Sequence, residues 1–195
     1  YARHGYRLYE ESSEVRSLPE DIYLNYVLFH RVNEEEIRPC RSLFYDKLKD
    51  HIKGLDTKET FLEVNYWCAG EVTYQSTDER TLSALGVYQR GIGRCGEEST
   101  FMVNALRSVG IPSRQVYAPN WAHCDDNHAW VEMWCSGTWY FTGACEPQPI
   151  LNMGWFLNAS SRAMMIHSKK FDSLQDEKNR IGKSLTGKNQ TITIL

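Results

Sequence analysis

Cys95 is the residue best placed to do chemistry in this sequence. It follows the run Gly91-Ile92-Gly93-Arg94 and opens a stretch, Cys95 to Val109, whose Phe101, Met102, Ala105, Leu106 and Val109 fall on one side of a helix. A thiol at a helix N-terminus faces unpaired backbone N–H groups and the positive end of the helix dipole. That placement predicts a lowered thiol pKa and a set of donors for an oxyanion. The flanking glycines let a substrate backbone approach, and Arg94 adds positive charge.

A thiolate nucleophile needs a partner that hands a proton to the leaving group. His128 is the candidate. It opens the segment His128-Ala129-Trp130-Val131-Glu132 after the polar loop His123-Cys124-Asp125-Asp126-Asn127. A histidine at the mouth of a strand is held rigidly and can pair with a thiol on an adjacent helix.

Four pieces in this order resemble the transglutaminase-like superfamily: Gly93-Arg94-Cys95-Gly96-Glu97-Glu98-Ser99, Gly110-Ile111-Pro112 with Arg114, His128-Ala129-Trp130-Val131-Glu132, and the hairpin carrying Trp139. The resemblance covers roughly residues 60 to 155. It implies a papain-like core, with Cys95 as nucleophile and His128 as general base and acid. It also implies an aspartate four residues after the hairpin tryptophan, where this chain has Gly143 in Trp139-Tyr140-Phe141-Thr142-Gly143-Ala144-Cys145-Glu146. Glu146, with its longer reach, is the candidate for the third role. Asp125, Asp126 and Asn127 are the alternatives. A Cys–His pair can also work as a dyad.

Other residues around the motif carry weaker signals. Trp121 is the candidate groove residue, and Gln75 and Arg94, with Tyr74, are candidates for substrate or oxyanion contacts. Glu97 and Glu98 suit the dipole of the helix they open. Glu132 reads as an outward strand residue or an ion-pair partner, His123 as a surface residue, and His167 as structural. The six cysteines, Cys40, Cys68, Cys95, Cys124, Cys135 and Cys145, are widely spaced and contain no CxxC pair. Cys124 and Cys145 flank the motif, but their spacing fits no zinc pattern, so no metal is expected. The simplest reading is mostly free thiols, with disulfides as the alternative.

The elements that must position these residues follow from pattern. The polar stretch 1–16 reads as a lead-in with room for a short helix. Pro19 with Glu20 and Asp21 marks a helix start. A helix over about Pro39 to Lys53, ending at Gly54, would bury Leu43, Phe44, Leu48 and Ile52. Another begins at Asp56, where Asp56 and Glu59 have capping-box spacing, and turns Phe61, Leu62, Val64 and Trp67 inward. A loop rich in Ser, Thr, Asp and Gly then leads to Cys95. Beyond Gly110 come strands at Arg114 to Tyr117, His128 to Trp134 and Trp139 to Thr142, with a Ser136-Gly137 hairpin turn. Helices followed by an antiparallel sheet read as α+β.

These readings divide the 195 residues into a helical segment at 1–55, a catalytic core at 56–168, and a polar linker at 169–195 that could lead into a further domain with a strand at Thr191 to Leu195. The composition, 42% apolar and 24% charged, is that of a globular domain. The net charge of −3 argues against a nucleic-acid footprint. No apolar run is long enough to span a bilayer. No signal peptide is visible in a sequence that opens at Tyr1, and family resemblance alone suggests export, as in bacterial relatives. The expected activity is thiol-dependent hydrolysis or acyl transfer at an amide bond of a peptide or protein. No calcium-loop signature of the large cross-linking enzymes is visible, which favours hydrolysis, and no dissolved cofactor is implied. The alternative is a peptide-binding module that keeps the groove without the chemistry.

Overall fold

The computed structural model describes residues 1–76 and 80–171. The expected strand at Thr191 to Leu195, and all but the first three residues of the expected linker, lie outside the described residues.

Two short helices, α1 (Ala2–Glu11) and α2 (Ser13–Arg16), occupy the lead-in. Pro19 serves as N-cap of α3 (Glu20–Tyr23), which runs on as a π-helical turn over Leu24–Leu28. Helix α4 (Arg41–Leu48) is shorter than the pattern suggested, because the chain loosens into turns before Gly54 takes a left-handed φ of 84°. In α5 (Thr57–Glu71) the Asp56–Glu59 capping box is fully formed.

The expected loop before Cys95 holds a helix, α6 (Ala84–Arg90), capped by the Ser83 hydroxyl and closed by Gly91 at φ 68°. On either side of it, β1 (Thr73–Tyr74) pairs in parallel with β2 (Ile92–Gly93). The central helix, α7 (Cys95–Ser108), is buried on every side from Glu97 onward rather than along one stripe. Several of its buried polar groups are paired: Gln115 donates to the Gly96 carbonyl and the Ser99 hydroxyl, and Asn104 to the Thr100 carbonyl.

Four antiparallel strands follow: β3 (Ser113–Ala118), β4 (His128–Cys135), β5 (Thr138–Thr142) and β6 (His167–Ser168), in the spatial order β5-β4-β3-β6. A short helix, α8 (Leu157–Ser160), precedes β6. Ser136 and Gly137 turn the β4–β5 hairpin with φ of 50° and 86°, the positive values that a tight hairpin needs. One sheet face packs on α7 through Val131 and Met133. The other carries a second apolar cluster of Val116, Ala118, Trp121, Trp130 and Phe156. This alternation sorts the site residues as well.

Two arginines tie the N-terminal segment to α7. Arg107 is fully buried and donates to the carbonyls of Phe29, Arg31 and Ser113. Arg41 donates to those of Val27, Leu28 and Phe29. The chain after β6 also returns to this segment: Lys169 donates to Asn33 at 2.7 Å, and Phe171 stacks on Phe29. These first residues of the expected linker are therefore packed against the body of the protein.

Candidate active site

Cys95 stands at the first position of α7, as its sequence context predicts. Glu97 closes a capping interaction by accepting from the Arg94 amide at 3.2 Å. The backbone N–H groups of Ala129 and Gly96 face the sulfur. A cavity of about 370 Å³ opens beside it, with Arg94, Gln115, Tyr117 and Asn127 among its walls.

The electrostatics differ from the expectation of a lowered thiol pKa. Burial pushes the Cys95 thiol up, and the Glu98 charge adds to this; the two amides and Arg94 pull it down without reversing it. Desolvation outweighs the helix N-terminus here. His128 moves the other way: burial drives its pKa down to about 4, against a smaller upward pull from Asp126. At neutral pH both groups rest uncharged.

His128 is buried, as a strand-opening residue packed by its neighbours. Its ring lies 4.6 Å from that of Trp155 and 4.9 Å from that of Phe156, with Trp130 and Trp121 each at 6.2 Å. No hydrogen bond joins it to Cys95, and its Nε2 has no partner among the described residues. The reason is strand alternation. Ala129 presents its side to Cys95, so the preceding residue turns toward the opposite face.

Glu146 stands on that same opposite face. Residue 143 follows Thr142, which pairs with Val131, and a Cβ on Gly143 would overlap the Glu146 carboxylate. The carboxylate thus fills the volume where a side chain at position 143 would sit. Both Glu146 oxygens accept from Trp155 Nε1, at 3.1 and 3.0 Å. Burial raises the Glu146 pKa, and the indole bond lowers it in part.

The remaining candidates divide. Arg94 lines the cavity and donates to Thr81. Trp121 is 7% exposed and packs beside His128 and Trp155, so it forms part of the support rather than an open groove wall. Gln75 is exposed and is not among the residues lining the cavity, and its backbone N–H donates to the Gly93 carbonyl. Tyr74 is 63% exposed and close enough to feel the charges of Cys95 and Asp126. Glu132 is a buried partner of Arg114, at 2.6 Å. No group of three metal-ligating side chains occurs among the described residues.

Two residues escaped the sequence reading. Glu98, one turn beyond Cys95, is buried, and its pKa rises to about 8, first through burial and then through the charges of Glu146 and Glu97. A carboxylate in the first turn of a helix reads as a dipole partner, and nothing local marks it as buried. Trp155 links His128 to Glu146. That link needs the tertiary fold, which brings residues 128, 146 and 155 together.

A thiol at the N-terminus of a central helix, packed on an antiparallel sheet that brings in a histidine, defines the papain-like class of folds. The family model of the transglutaminase-like superfamily matches residues 46–144, and the chain belongs to that superfamily. No curated protein matches in sequence. Among solved structures, a protein from Cytophaga hutchinsonii described as a candidate cysteine protease is 18% identical with a TM-score of 0.51; the match covers 92% of this chain and 64% of that one. The chain therefore spans less than two thirds of that protein and shares its fold. Legionella pneumophila LapG is 16% identical with a TM-score of 0.47, over 86% of this chain and 81% of that one.

Proposed function

We propose that this chain cleaves or transfers an amide bond of a peptide or protein substrate through a thioester on Cys95. The observation that carries the reading is the Cys95 sulfur at the start of α7, beside an open cavity, with two backbone amides directed at it. In this reading His128 takes the thiol proton as the sulfur attacks the carbonyl, and the Gly96 amide steadies the oxyanion. The imidazole turns out of its aromatic cage to do so, since hydrogen bonds of a catalytic pair often form only with substrate bound. The proton passes to the departing amine, and water or a second amine releases the acyl group. Glu146, held by Trp155, supports the cage to which the neutral imidazole returns.

A second reading is favoured by one observation: the missing bond between Cys95 and His128, both resting neutral. It makes the fold a peptide-binding module. Turnover of a peptide library by the wild-type chain, absent in Cys95→Ala, is the outcome expected for the enzyme. Equal turnover by both proteins, or none by either, would leave the binding module.

A further inference from the structure

The cavity beside Cys95 is closed by residues from outside the matched family core. Asn33 and Lys169 both line it, and both fall outside residues 46–144. Their side chains meet in a 2.7 Å hydrogen bond between residues 136 positions apart. We propose that Lys169 makes this cavity selective for acyl groups that carry a carboxylate, such as peptides with Asp or Glu beside the scissile bond. The proposal rests on the reading of Cys95 as the acyl-accepting thiol.

Lys169 has only 18% of its side chain exposed, so its ammonium acts through a medium less polar than water. Its ion-pair partner among the described residues, Glu34 at 3.6 Å, has a side chain 54% exposed and is well screened by solvent. Glu34 does not line the cavity. Burial, and after it the Lys169 charge, lowers the pKa of the neighbouring His167, which also lines the cavity. Asn33, Gln115 and Asn127 offer neutral hydrogen bonds, and no described lining residue carries a carboxylate. An anionic group entering next to the sulfur would meet an ammonium that a neutral group uses poorly.

Alkylation of Cys95 tests this without any substrate. Iodoacetate and iodoacetamide both form a sulfur–carbon bond with loss of iodide and differ only in carboxylate against carboxamide. The ratio of their rates at Cys95, read by peptide mass mapping at low salt, reports the charge of the cavity. Lys169→Met should lower the iodoacetate to iodoacetamide ratio about fivefold, and Lys169→Glu should lower it further. Lys169→Arg should keep it within about twofold, which separates charge from folding damage. An unchanged ratio in both Lys169→Met and Lys169→Glu, with Cys95 still reactive, would overturn the role of Lys169 alone. A Cys95 that reacts with neither reagent faster than buried Cys40 would overturn the nucleophile reading along with it.

Discussion

The carboxylate of Glu146 fills the space into which a side chain on Gly143 would project. The volume where the resemblance expects an acid side chain is thus occupied from three residues downstream, through a turn in which Gly143 and Glu146 are bridged and Cys145 takes a φ of 56°. Asn65 fixes this turn by donating to the Gly143 carbonyl at 2.9 Å.

A position swap tests this substitution of roles. Glu146→Ala should lower kcat by about 10- to 100-fold through loss of imidazole orientation. Gly143→Asp alone should destabilise the protein, because the new side chain meets Glu146. The double variant Gly143→Asp with Glu146→Ala should recover part of the lost kcat. Recovery no better than that of Glu146→Ala would remove Glu146 from the site.

The neutral resting pair has its own signature. With the Cys95 thiol raised and His128 lowered, alkylation of Cys95 by iodoacetamide should rise steadily with pH from 6 to 9, following thiolate fraction. A rate plateau between about pH 5 and 7, as a preformed thiolate–imidazolium pair produces, is the contrary result.

Trp155→Phe keeps an aromatic ring against His128 and removes the N–H that Glu146 accepts. That bond favours the charged carboxylate, so its loss should raise the Glu146 pKa further. The acid limb of kcat/KM should move to higher pH, with KM little changed. A limb that stays in place would show that Glu146 does not govern it.

Glu98 links the site to stability. Its pKa is about 8 in the fold against 4.5 as a free side chain, so the folded state holds a proton that the unfolded chain has released. Its contribution is complete below pH 4.5 and is lost as pH rises toward 8. Glu98→Gln should flatten that decline, by roughly a few kcal/mol across the window, as followed by urea denaturation at stepped pH. Parallel curves for the two proteins would count against a buried, protonated Glu98.

Arg107 should be among the least replaceable residues. Its hydrogen bonds among the described residues all go to backbone carbonyls, so Arg107→Met leaves several acceptors unsatisfied. The expected loss is roughly 3 kcal/mol or more, measured as a shift in urea midpoint. A loss under about 1 kcal/mol would mean that water replaces the guanidinium.

Local chemistry made several elements legible in advance. The capping box of Asp56 and Glu59, the helix start at Cys95 and the Ser136-Gly137 turn each have a short-range cause, and each stands where expected. Helix α6 was hidden because it spans seven residues and contains Gly86; Ser83 and Gly91 as its two caps were the signals to use. The direction of the Cys95 pKa and the turn of His128 into an aromatic cage depend on burial and on strand parity fixed by pairing with β3. Neither is written in the neighbouring residues. The closeness of Asn33 and Lys169 is likewise a product of the whole fold.

The clasp of Phe171 on Phe29, with the arginine bonds beneath it, sets the smallest piece of this chain worth expressing alone. A fragment trimmed to residues 46–144 would leave Arg107 without its carbonyls from Phe29 and Arg31, and would leave the cleft without Asn33 and Lys169. Anyone transplanting recognition from one member of the superfamily to another should therefore graft the two flanks together.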